Sequence, residues 1–109
     1  MSRAGEGLRR VEEEIRREKA AALGRAGERL DEVLHEVAEL GRQLDAATSP
    51  AAREHWLVAY EKARGRAERA RLMLLIQREA VGLRHHATVA QQFPEPPRRA
   101  RPGRTGGMP

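Results

Sequence analysis

With no cysteine in the chain, histidines and carboxylates are the residues that could hold a metal or move a proton. Glu32-Val-Leu-His35 has the Glu-x-x-His spacing that projects a carboxylate and an imidazole into one pocket when they ride on a helix. The apolar periodicity around it turns Glu32 and His35 to the solvent side, and the second half of the chain supplies no inward Glu to complete a site. His85-His86 is the other pair, and folding would set it opposite Glu13 and Glu14. Neighbouring helical residues point about 100° apart, so the two imidazoles cannot face one ion without distortion. They read better as residues interacting with a helix end and with those carboxylates. His55 beside Trp56 reads as a surface residue. The expectation is no catalytic residue, no metal ligand and no cofactor, and hence a protein that is not an enzyme.

A different chemistry is open to the C-terminal arginines Arg98, Arg99, Arg101 and Arg104, which could bind phosphates by releasing counterions, or bind an acidic protein surface. No aromatic residue is interleaved with them to stack on bases, so nucleic-acid binding by this stretch is expected to be weak and steeply salt-dependent. The segment from Pro94 onward, rich in Pro, Arg and Gly, has nothing with which to build a core. It is expected to be a disordered basic tail over 93–109, partly in the polyproline-II conformation, without buried contacts.

The elements that position these residues follow from periodicity. Leu23, Ala26, Leu30, Val33, Val37, Leu40, Leu44 and Ala47 recur in alternating steps of three and four, the seam along which one helix lies on another. Upstream, Leu8, Val11 and Ile15 form an early stripe, joined to the ladder by steps of four through Lys19, a stutter in the heptads. Gly24 and Gly27 lie just beyond it. The reading is a continuous helix whose glycines make room for bulky neighbours. Ser49 suits an N-cap and Pro50 a first helical position. Beyond them Ala52, Trp56, Ala59, Ala63, Ala67, Ala70 and Leu74 make a second, alanine-rich stripe. Folding about Ser49-Pro50 sets these alanines against Leu40, Val37, Val33 and Leu30, so small meets large along the seam.

The pattern therefore predicts an all-α protein, a long antiparallel two-helix hairpin over residues 1–92. Helix one spans about 5–48 and helix two about 50–91 unless Gly82 ends it early, with Leu23, Leu30, Val33, Val37, Leu40, Leu44, Trp56 and Leu74 as the hairpin core. The apolar fraction of 39%, with one Phe, one Trp and one Tyr, is too thin for a thick globular core, whereas the 34% of charged residues suits long solvated helices. Residues 3–48 carry nine basic and eleven acidic groups, net −2, and residues 50–92 carry eight and four, net +4. The hairpin would thus bring Arg64, Arg66, Arg69 and Arg71 alongside Glu28, Asp31, Glu32, Glu36 and Glu39, each exposed pair adding a few tenths of a kcal/mol.

Leu72-Met73-Leu74-Leu75-Ile76 is apolar all round the helix, and one partner helix covers a single stripe. Self-association covers the rest, so the expectation is a homodimeric four-helix bundle with Leu72, Met73, Leu75, Ile76, Leu83 and Leu34 at the interface, Gly27 and Gly41 allowing close approach. The longest aliphatic run is far shorter than the ~20 residues needed to cross a bilayer, and the first residues lack the apolar core of a signal peptide. A cytoplasmic location with no membrane partner follows as an expectation. The leading functional expectation is a protein–protein interaction, scaffold or adaptor module. A nucleic-acid-associated basic bundle and a ferritin-like metal-binding hairpin are the alternatives, the last lacking the paired inward carboxylates that such hairpins use.

Overall fold

The computed structural model describes residues 3–99, of which 84% are helical and none lies in a strand. Helix α1 spans Arg3–Ala46, α2 spans Pro50–Ala80 and a short α3 spans Ala87–Gln92. The two long helices pack antiparallel as a hairpin.

The connection forms where Ser and Pro demand it. Ser49 is extended (φ −123°, ψ 154°), its hydroxyl accepts from the Ala52 amide at 3.1 Å, and Pro50 opens α2. Helix α1 stops at Ala46, two residues earlier than the periodicity suggests, with the Ala47 amide bonding the Leu44 carbonyl at 3.2 Å.

Helix α2 stops at Ala80, not at about residue 91. Gly82 adopts φ +90°, its amide bonds the Glu79 carbonyl at 3.0 Å, and the Leu83 amide bonds the Arg78 carbonyl at 2.9 Å. This pair of bonds is a Schellman cap, which glycine completes without the steric penalty of a Cβ. The chain then turns back. Arg78 binds the His85 carbonyl through Nη2 (2.8 Å) and donates from Nε to His86 Nδ1 (3.2 Å), while His86 Nε2 donates to Glu79 (3.2 Å). Helix α3 follows and buries Val89.

The core runs along the seam as two clusters. Near the turn, Val33, Val37, Leu44, Leu57, Tyr60, Ala63 and Ala67 pack together, with Leu34, Leu40 and Trp56 at their edge. Farther along, Ala26, Leu30, Ala70, Leu74 and Val89 form the second, flanked by Leu23, Leu34, Leu75 and Phe93. Small does meet large here: Ala63, Ala67 and Ala70 are buried among Leu30, Val33 and Val37. Close to the turn, however, Leu57 and Tyr60 are the buried residues, while Trp56 and Ala59 are half-buried.

The glycines play different parts from those expected. Helix α1 is continuous through Gly24 and Gly27, but a methyl group at either would meet only open space, so no bulky neighbour requires them. Gly41 is the close-packed one, with the Tyr60 ring 3.5 Å from where its Cβ would stand. Of the cross-hairpin ion pairs anticipated from charge, Arg66 binds Glu36. Arg64 and Arg71 instead reach the segment after α3.

Candidate functional site: two surfaces flanking the hairpin

Two surfaces stand out, one covered and one bare. The covered one begins with three donors on α2. Tyr60, Arg64 and Arg71 are spaced by four and seven, which aligns them along the helix about 70° round from the buried alanine stripe. Residues 93–99 run along this line as an extended strap. The Tyr60 hydroxyl donates to the Pro97 carbonyl at 2.7 Å, Arg64 Nε donates to the Pro96 carbonyl at 3.3 Å, and Arg71 Nη2 donates to the Phe93 carbonyl. Arg71 also lies 4.0 Å from the Glu95 carboxylate. Both guanidinium side chains are well covered, at 13% and 14% exposure, so these bonds are sheltered from water.

The strap is anchored at both ends. Phe93 packs beside Leu30, Ala70 and Leu74, following directly on Val89. At the other end the Arg99 guanidinium pairs with Asp45 and sits 5.7 Å over the Tyr60 ring. Burial pushes the Tyr60 phenol above its ordinary pKa, with Asp45 acting in the same direction and the Arg99 and Arg64 charges opposing. The expected disorder of residues 93–99 is therefore corrected: proline-rich sequence orders when a row of side-chain donors meets its carbonyls. Between the strap and α1 lies a groove of about 560 Å³ over Leu34, Ala38 and Gly41, rimmed by Asp31, His35 and Arg42.

Two of the residues expected at an oligomer interface are half-buried within the chain itself. Leu34 and Leu75 pack at the edge of the core on the side closed by α3 and Phe93. The short helix that adds Val89 to this cluster was not legible, because six residues with one buried side chain carry no periodicity. Tyr60, Leu57, Val89 and Phe93 were missed for related reasons; the Tyr60 hydroxyl and the free carbonyls of a proline-rich stretch were the available signal.

The bare surface is the open end. Residues 6–21 of α1 are exposed on every side, a stretch of about 24 Å. Leu8, Val11 and Ile15 there, with Leu72, Met73 and Ile76 on α2, each expose between 45% and 60% of their surface. At 100° per residue the mean direction of the first three lies within about 40° of the Ala26–Val37 seam direction, so the face that α2 covers farther along continues uncovered. Leu72 and Ile76 point about 160° away from α2's buried stripe and Met73 about 100°. Val81 and Leu83 are exposed beside the Schellman turn. A shallow recess joins Ile15, Lys19 and Ala22 to Gln77.

The remaining candidates are local. His35 Nδ1 donates to the Asp31 carbonyl at 2.8 Å, and Glu32 lies 3.8 Å from Arg29, both on the exposed side. His55 meets Trp56 edge-on. Hydrogen bonds from Gln43 and Arg42 hold the Glu39 carboxyl below its ordinary range. Among the described residues no three His, Asp or Glu side chains converge as a metal site. His85 and His86 hold the loop together through Arg78 and Glu79, not against Glu13 and Glu14. Of the tail arginines, Arg98 is exposed, Arg99 is engaged by Asp45 and Tyr60, and Arg101 and Arg104 lie outside the described residues. No helix is long and apolar enough to cross a membrane among the described residues.

No protein-family model, curated protein or solved structure matches this chain.

Proposed function

We propose that the chain is a non-enzymatic interaction module, a helical hairpin that self-associates through its open end and so acts as a scaffold. The observation that carries this reading is the bare stripe of Leu8, Val11 and Ile15 together with the bare Leu72, Met73 and Ile76 face. Apolar side chains concentrated in this way leave water favourably at roughly 25 cal/mol per Å² buried. A second copy is the partner these two surfaces fit. The stripe of α1 is a seam of the kind that already accepts an antiparallel helix, and the outer face of α2 offers such a helix. Laying the α1 arm of one copy on the outer face of α2 in the other, and the reverse, buries both surfaces twice and closes the assembly about a two-fold axis.

Because the natural sequence has no cysteine, the pairing can be read chemically. Val11→Cys and Met73→Cys chains, prepared separately, mixed in equal amounts and oxidised gently, should form the mixed disulfide dimer well beyond the roughly half share that chance pairing gives, since disulfides require Cα atoms within about 7 Å. Random pairing of the three products would remove this arrangement.

A further inference from the structure

Three donors on α2 each bond a backbone carbonyl of the strap, Tyr60 that of Pro97, Arg64 that of Pro96 and Arg71 that of Phe93, with the Glu95 carboxylate an additional partner of Arg71. Carbonyls are what a proline-rich strand shows to a partner, because its prolines have no amide hydrogen and their fixed φ holds the strand extended. The longer of the two spacings along the track also matches. Seven helical residues from Arg64 to Arg71 rise about 10.5 Å, and three polyproline-II residues from Phe93 to Pro96 advance about 9.3 Å. The strap does not fill the flank it occupies. About 560 Å³ stays open between it and α1, floored by Leu34, Ala38 and Gly41.

We propose that the Tyr60–Arg64–Arg71 line is a docking track for an extended proline-rich segment of a partner protein, with the chain's own Phe93–Arg99 strap as resident competitor. The inference is independent of the open-end surface, which lies on other faces of both helices. The partner segment has an aromatic anchor at the Phe93 position, two or more prolines, and an arginine that reaches Asp45 and the Tyr60 ring. A bulky apolar side chain directed over Leu34 and Gly41 gives it the contact that the resident strap lacks. Such a gain is required, because a tethered strap competes at an effective concentration in the millimolar range.

The test is a fluorescence-anisotropy titration of the full chain with a labelled peptide, Phe-Pro-Glu-Pro-Pro-Arg-Arg, the sequence of residues 93–99. Wild type is compared with a strap-released chain, Phe93→Ser/Pro96→Gly/Arg99→Ser, and with the milder Arg99→Asp, which Asp45 repels and which leaves Asp45, Tyr60 and the core in place for the peptide; circular dichroism confirms native helicity in both. The released chains should bind at least tenfold more tightly than wild type. Adding Arg64→Ala, or replacing the peptide's prolines with alanine, should weaken that binding at least fivefold. Released chains that keep native helicity yet fail to bind, or that bind the alanine peptide equally well, would overturn the proposal. A wild-type dimer that dissociates on release of the strap would overturn it too, by showing the track filled by a second copy's strap.

Discussion

Tyr60 joins most of what holds the lower half of the hairpin together. Its ring packs over Gly41, its hydroxyl fastens the strap at Pro97, and its face carries Arg99. Burial favours the neutral phenol, so the folded pKa lies above the unfolded value of about 10. A raised pKa means that between the two values the folded chain keeps a proton the unfolded chain has lost. Tyr60's contribution is therefore intact below pH 10 and declines as pH rises through the folded value. Urea unfolding between pH 9 and pH 11 should show wild type losing stability faster than Tyr60→Phe, and parallel curves would contradict the assignment. At pH 7 the same substitution should cost about 1 kcal/mol, the usual worth of one hydrogen bond.

At the scale of elements, the two long helices were readable and the short α3 was not. The Leu30, Val33, Val37, Leu44 ladder and the Ser49-Pro50 boundary specify α1, the turn and the start of α2, because each relies on local pattern or local capping. The end of α2 rests on one residue, Gly82, whose left-handed conformation is one option among several for a glycine in sequence. The strap depends on contacts between residues more than twenty apart, such as Arg71 with Phe93, which no periodicity encodes. The glycines divide by the same logic. Gly24→Ala and Gly27→Ala, facing open space in a continuous helix, should each stabilise the protein by about 1 kcal/mol. Gly82→Ala, held at φ +90°, should cost about 1–2 kcal/mol. Thermal melts followed at 222 nm would check both signs, and a stabilising Gly82→Ala would remove the Schellman cap as the stop signal of α2.

At the scale of the whole molecule the hairpin is asymmetric. One flank is closed by α3 and the strap, the turn end is tightly packed, and the open end leaves the α1 arm and the outer face of α2 uncovered. The apolar run Leu72 to Ile76 was readable as more than one partner helix could cover, and the structure divides it: Leu74 and Leu75 face inward or towards α3, Leu72, Met73 and Ile76 outward. The arm of α1 was less legible, because Leu8, Val11 and Ile15 only became a bare surface once α2 ended at Ala80. Self-association through that end is the central claim, and sedimentation equilibrium of the full chain at tens to hundreds of micromolar tests it most directly. Wild type should weigh twice its 12.2 kDa chain mass, and Leu72→Glu/Ile76→Glu, which places charges where they must be desolvated, should weigh 12.2 kDa with helicity retained. A wild-type chain that stays at 12.2 kDa at the highest concentration would contradict the claim.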